Sequence, residues 1–130
     1  MISGPPPSLG RRLTWWLVPR WRDPGSIAFV LNRLSGLILV AYLLAHFVVL
    51  SRLAQGAAGW NDLLAIFGSR PFLVGDVLLI AAVIFHGLNG LRVIGLTMGH
   101  GTAHSGLWFG LVLLISGALT GLAGWAILFA

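Results

Sequence analysis

Three long apolar segments constrain the fold of this chain more than any other feature. They run from about 27 to 50, from 72 to 97 and from 105 to 130, and each is close to the roughly 20 residues that a helix needs to cross a bilayer core. In lipid, backbone groups find partners only within a helix or a closed barrel, so each segment is predicted to be helical. The expected fold is therefore an all-α membrane protein with three transmembrane helices.

The composition supports this assignment and removes several classes of function. Of the 130 residues, 58% are hydrophobic and 8% are charged, whereas soluble domains have roughly one quarter charged residues. The chain has no cysteine, which excludes disulfides, iron–sulfur ligation and thiol catalysis by this chain. Three aspartates are its only acidic residues, which leaves little for carboxylate catalysis.

The arginines predict the orientation in the membrane. Four lie in residues 1–25, and with Arg33 and Arg92 they make six on one side; Arg52 and Arg70, in the connection between the first two spans, make two on the other. The positive-inside rule then places the N-terminus in the cytoplasm and the C-terminus outside, with residues 51–71 as an external loop. The net charge of +5 is therefore interpreted as topology and contact with anionic lipid, and not as nucleic-acid binding.

Residues 1–25 are interpreted as a retained interfacial arm, and residues 26–130 as the membrane anchor. The arm is proline-rich and has no apolar core of signal-peptide length, so it is expected to be retained. It also does not have the character of a transit peptide, which favours a prokaryotic plasma membrane. Its tryptophans and arginines suit a membrane surface, where both side chains reach the interface. These residues are Trp15, Trp16, Trp21, Arg11, Arg12, Arg20 and Arg22. Ser26 is the expected N-cap of the first span.

Two of the four histidines, His46 and His86, lie well inside predicted spans. Ionisable groups at such depth are usually functional, because burying them in lipid is costly. If Arg33 and Arg92 mark the cytoplasmic interface, His86 lies about 9 Å and His46 about 20 Å from it, at 1.5 Å per residue. One haem between them would be strained, so two haems at different levels are favoured, each completed by a histidine from another chain. A neutral imidazole hydrogen-bonded to a neighbouring helix is the structural alternative.

The residues that follow His86 are compatible with a flat cofactor. Gly90 lies one turn away on the same face and would make room for a ring, although close helix packing explains a glycine equally well. Asn89 is on the same stripe and can hydrogen-bond a neighbouring helix. Arg92 is about 120° round the helix from His86, so only its long side chain would reach a haem propionate; snorkelling to the interface is the simpler alternative.

A second polar cluster, NRLSG, opens the first span from Asn32 to Gly36. Arg33 follows Ser26 by seven residues, about two helical turns, so both offer hydrogen-bond donors near the cytoplasmic surface. A quinone carbonyl, which gains negative charge on reduction, would be served by such donors. A positive-inside anchor explains Arg33 almost as well.

Together these motifs resemble the cytochrome b membrane-anchor subunit of succinate dehydrogenase, also called succinate:quinone oxidoreductase. The resemblance is carried by NRLSG, by a histidine late in the first span and by HGLNGLRVI in the second, over about residues 26–94. It implies that His86 is an axial ligand of a haem b near the cytoplasm, with Gly90 and Arg92 beside it. It implies that His46 is the ligand of a second haem in a bundle shared with a partner anchor chain.

The same resemblance implies a quinone site and a set of partners. Arg33 would belong to the quinone site, with Asn32 and Ser26 nearby. Many members carry histidine where this chain has Asn32 and serine where it has Phe29, so Ser26, one turn lower on the same face, is expected to replace that serine. The implied partners are a second small anchor chain, an iron–sulfur subunit and a flavoprotein subunit. The chain would bind no succinate itself and would help to pass electrons from the iron–sulfur subunit to quinone.

Two alternatives remain open. One is a redox-inactive anchor of the same architecture that only docks soluble subunits. The other is a small transport component with a proton path through His46 and His86. The central membrane region contains no carboxylate, since Asp76 lies near the outer edge, and this makes a proton path less favourable.

Overall fold

A computed structural model describes residues 8, 10 and 18–129, apart from the side chains at 53, 55, 58 and 62. Residues 18–129 form four α-helices joined by short connections. These are α1 (Pro24–Ser51), α2 (Gly56–Phe67), α3 (Arg70–Thr97) and α4 (Ser105–Phe129). A 3-10 helix, Arg52–Gln55, follows α1, and another, Thr102–His104, precedes α4.

The three predicted spans are confirmed as helices. α1, α3 and α4 each have the length and apolar composition needed to cross a membrane. Their bounds agree with the predicted segments to within three residues. The agreement follows from the uninterrupted apolar runs, since a helix is the structure that satisfies the backbone of such a segment in lipid.

The start of α1 differs from the prediction. Asp23 is the N-cap, and its side chain accepts a hydrogen bond of 2.9 Å from the backbone N–H of Gly25. Pro24 occupies the first turn, where its missing N–H costs nothing and its fixed φ suits a helix. Ser26 therefore lies inside the helix, and its hydroxyl accepts a hydrogen bond of 2.9 Å from the backbone N–H of Arg20. The predicted N-cap at Ser26 is wrong.

The interfacial arm is described only at its C-terminal end. Arg20, Trp21 and Arg22 are exposed, as side chains at a membrane surface are expected to be. Arg11, Arg12, Trp15 and Trp16 lie outside the described residues. The interfacial arm therefore stays a prediction.

α3 packs against both α1 and α4, which also contact each other. At one end of the α3–α4 pair, Arg92 donates a hydrogen bond of 2.8 Å to the backbone carbonyl of Ser105. At the other end, a Cβ added to Gly124 would lie 3.2 Å from Val77, so the two helices are antiparallel and close. We call the end that carries Arg33 and Arg92 the arginine end.

Most of the apolar surface of the spans faces outward from the isolated chain. In the part of the chain that the structure describes, the buried apolar side chains are Ala28, Val30, Ala82, Phe109 and Val112. Large exposed apolar surfaces mark contact with lipid or with other proteins. The three helices are thus one part of a larger membrane assembly or lie directly against lipid.

The connection between α1 and α3 contains a helix that was not predicted from the sequence. α2 has 12 residues, too few to span a bilayer core, in a segment that was expected to be an external loop. Its Trp60, Leu64 and Ile66 side chains are exposed. The segment therefore stays outside the spans, but it is helical.

Candidate functional site

His86 lies on the face of α3 that packs against α1. Its Nδ1 is 3.1 Å from the backbone carbonyl oxygen of Asn32 and 3.2 Å from the hydroxyl oxygen of Ser35. The Ser35 hydroxyl donates to the same carbonyl at 3.0 Å. Because a carbonyl oxygen can only accept, the contact with Asn32 requires a proton on Nδ1. In the neutral tautomer with this proton, the other ring nitrogen, Nε2, carries the lone pair.

This arrangement fits an axial ligand of haem iron. Metal-bound histidines usually donate their second N–H to a carbonyl or a carboxylate, which fixes the tautomer and the orientation of the ring. The orienting partner of His86 is not apparent from the sequence. It is a main-chain atom 54 positions earlier in the chain, brought close by the packing of α3 on α1.

Gly36 on α1 provides the space for the His86 ring. A Cβ at this position would lie 3.0 Å from Cε1 and 3.5 Å from Nδ1 of His86, and packed carbon atoms prefer about 3.5–4.0 Å. From the sequence, the space-making role was predicted for Gly90 alone. A Cβ on Gly90 would have no described atom outside its own helix backbone within 4 Å. Gly90 therefore faces outward, and close packing within the described chain does not explain it.

His46 lies at a different level from His86. It follows Gly36 by ten residues on the continuous helix α1, which corresponds to about 15 Å along the axis. Its ring stacks on Tyr42 with centroids 5.5 Å apart, and the Tyr42 hydroxyl is 3.5 Å from Nδ1. The two imidazoles are too far apart in height to ligate one iron, and the spacing agrees with the predicted two levels.

A cavity of about 480 Å³ opens at the arginine end of the bundle. Its polar lining is Asn32 and Arg33 from α1, Asn89 and Arg92 from α3, and Ser105 from α4. No carboxylate is among its lining residues, while two guanidinium groups are. Such a cavity favours an anion or a polar group that gains negative charge. We call it the arginine-end cavity.

Two of the three predicted quinone residues, Asn32 and Arg33, line this cavity, and Ser26 does not. The Arg33 guanidinium lies over the Phe29 ring, with Cζ 3.8 Å from the ring centroid. This cation–π contact orients the guanidinium. The Ser26 hydroxyl is engaged as the acceptor for Arg20, although its own proton stays available to another acceptor.

Arg92 connects α3 with α4 and also reaches the cavity. Its guanidinium donates to the Ser105 carbonyl, and its Cζ lies 5.6 Å from the centroid of the Phe109 ring. Its Nε is buried and has no hydrogen-bond partner among the residues described. The half-buried side chain is held against α4, and snorkelling to the interface stays an alternative explanation of its position. Its contact with a haem propionate stays a prediction.

The comparisons with known proteins agree on one family. Residues 9–126 match the succinate dehydrogenase/fumarate reductase transmembrane subunit family. The chain is 33% identical over 103 residues to the succinate dehydrogenase hydrophobic membrane anchor subunit of Halobacterium salinarum, which covers 77% of this chain and 79% of the relative. It is 35% identical over 72 residues to the succinate dehydrogenase 2 membrane subunit SdhC of Mycobacterium tuberculosis, which covers 55% of this chain and 53% of that relative. With three helices suited to a membrane and a match over nearly its whole length, the chain belongs to the transmembrane subunit family of succinate dehydrogenase and fumarate reductase.

Proposed function

We propose that this chain is a haem b-binding membrane anchor of a succinate:quinone oxidoreductase, which helps to pass electrons from an iron–sulfur subunit to membrane quinone. The observation that carries the proposal is the orientation of His86. Its Nδ1 donates to the Asn32 carbonyl, and its Nε2 is left with the lone pair that a metal requires. Family membership supports the anchor role.

In this proposal His86 would hold a haem near the arginine end, with Gly90 leaving room for the porphyrin and Arg92 available to its propionates. His46 would hold a second haem, and a second small anchor chain would supply the remaining ligands. A bound haem b supplies one-electron transfer within the membrane. The chain's own contribution is to hold the imidazoles, and Tyr42, stacked on His46, holds that ring.

The arginine-end cavity is the quinone site in this proposal. Arg33 donates to a carbonyl oxygen that gains negative charge on reduction, and such charge-assisted hydrogen bonds are roughly twice as strong as neutral ones. Phe29 holds the guanidinium by the contact at 3.8 Å. The buried Oδ1 of Asn32, which has no partner in the described chain, can accept from a quinol hydroxyl. Ser26 is a further donor beside the lining residues.

The charge distribution supports a cytoplasmic location of the arginine end in a prokaryotic plasma membrane. The iron–sulfur and flavoprotein subunits would dock at this end, where α1 begins and the cavity opens. The second anchor chain and lipid would cover the outward apolar faces of the three spans.

A reduced-minus-oxidised visible spectrum of the purified complex tests the haem assignment. Bands of b-type haem are expected, with a split or double maximum because the two histidines lie at different levels. A featureless spectrum would contradict the assignment. It would leave a redox-inactive docking anchor or a transport component as the function of the chain.

Leucine in place of Arg33 tests the quinone site. In the assembled complex, we expect Arg33→Leu to raise the KM for a decyl-substituted benzoquinone by about tenfold or more, since a hydrogen bond to a charged group contributes roughly 1.5–3 kcal/mol. This KM is measured from the rate of succinate-driven quinone reduction at increasing concentrations of the quinone. Arg52→Leu, at the opposite end of α1, is the matched control. An unchanged KM in the Arg33→Leu complex would show that quinone binds elsewhere.

A further inference from the structure

Asn89 has a side chain that no interaction within the described chain explains. It is 0% exposed and is the largest fully buried side chain there. Neither its Nδ2 nor its Oδ1 has a hydrogen-bond partner among the residues that the structure covers. Burying an amide without hydrogen bonds is costly, and a leucine of similar size would avoid that cost. The amide therefore indicates a polar partner beyond the described residues, and a bound ligand is one such partner.

The position of Asn89 indicates where that partner lies. Asn89 lies three residues after His86 and three before Arg92 on α3. It is therefore placed between the side of α3 that packs on α1 and the side that packs on α4, about 4.5 Å along the helix axis from His86. It lines the arginine-end cavity together with Asn32 and Arg33 from the facing helix. The Oδ1 of Asn32 is also buried with no partner in the described part of the chain. Two amides from opposite helices thus border the same space.

We propose that Asn89 binds the ring oxygen of the quinone, as a second hydrogen-bonding side chain in addition to Arg33. The inference rests on the proposed quinone site. A carboxamide can donate from Nδ2 to a quinone carbonyl and can accept at Oδ1 from a quinol hydroxyl. A guanidinium can only donate, so Arg33 favours the carbonyl form of the ligand. Asn89 therefore holds the ring in either redox state.

The two unpartnered atoms of Asn89 favour a quinone over a carboxylate as its ligand. A carboxylate, such as a haem propionate, only accepts hydrogen bonds and would leave Oδ1 unsatisfied at all times, whereas a quinone leaves it unsatisfied only in the oxidised state. A ligand that alternates between a carbonyl and a hydroxyl uses both ends of the amide. The quinone–quinol pair has this property.

The experiment compares leucine at Asn89 and at Arg33 in the assembled complex. Asn89→Leu is expected to raise the KM for decyl-benzoquinone and for its quinol by a similar factor, about three- to tenfold, as for the loss of one neutral hydrogen bond. The dissociation constant of decyl-benzoquinone, measured on the resting complex by equilibrium binding, should rise by the same factor. Arg33→Leu should raise the KM for the quinone more than the KM for the quinol. Asn61→Leu, exposed on α2, is the control and should change none of these constants.

Asn89→Asp provides a second variant of nearly the same shape. Its carboxylate accepts but does not donate, so it should weaken binding of the quinone more than binding of the quinol. If both Asn89 variants leave the constants unchanged while Arg33→Leu raises them, the role of Asn89 is overturned and the quinone site stands. If Arg33→Leu also has no effect, the quinone site itself is overturned. A lower thermal stability with unchanged binding would indicate a packing role for Asn89 and would equally overturn the inference.

Discussion

Replacing His86 with glutamine in the assembled complex should remove one b-type component from the reduced-minus-oxidised spectrum, and replacing His46 with glutamine should remove a different one. Glutamine retains hydrogen-bonding capacity but has no ring nitrogen for iron. In the native chain the Asn32 carbonyl, 3.1 Å away, orients the His86 ring. Because glutamine removes that ring, the haem it would hold should be lost completely. His46 lies about 15 Å along α1 from Gly36, the residue that contacts the His86 ring. The two substitutions should therefore remove different haems.

The matched control is His104→Gln, in the exposed turn before α4, which should keep both components. Loss of the same spectral component in the His86 and His46 variants would contradict the assignment of two haems at different levels of the membrane. Full retention of both components in the His86→Gln complex would contradict its role as a ligand.

Valine at Gly36 should remove the same component as His86→Gln, although the histidine itself is intact. The Cβ would lie 3.0 Å from Cε1 of His86, and the two methyl groups of valine would extend further into the space of the ring. A retreat of the ring would lengthen its 3.1 Å hydrogen bond to the Asn32 carbonyl. Overpacking of this kind costs about 1–3 kcal/mol, so both haem content per complex and Tm should fall.

Gly75→Val is the matched control for Gly36→Val. Gly75 is exposed on α3, and a Cβ there would meet no described atom beyond its own helix backbone within 4 Å. The control carries the same change in helix propensity and should keep its haem. Equal haem content in the Gly36→Val and Gly75→Val complexes would mean that the space at Gly36 is not needed by the His86 ring. Gly36→Ala should give an intermediate loss.

The membrane helices were predictable because each is an unbroken apolar run of the length that a bilayer requires. α2 was not predictable in this way, because its 12 residues are too few to cross a bilayer. It also begins at a glycine, Gly56, with a φ of 76°. The start of α1 was misplaced because the prediction took Ser26, which follows the Pro-Gly pair, as the N-cap, whereas the N-cap is Asp23, which precedes it. The rule that proline favours the first helical turn distinguishes them, and it points to Asp23.

The candidate site was predictable mainly in its ionisable groups, with Asn32 added by its place beside Arg33. His46, His86 and Arg33 stand out because each is costly in an apolar segment. The orienting carbonyl and Gly36 do not stand out, because their role depends on the register of α1 against α3 and not on residue type. The burial of Asn89 likewise follows from that packing, although its place on the His86 stripe is evident from helical spacing.

The acceptor that orients His86 is a peptide oxygen, which every amino acid possesses. Mutational drift at position 32 can therefore alter the side chain freely without changing which imidazole nitrogen is protonated. In the proposed quinone site, the Asn32 side chain is thus available to the ligand while its carbonyl orients His86. The geometry that must be inherited is the path of the α1 backbone and the absence of a side chain at Gly36, four residues further on.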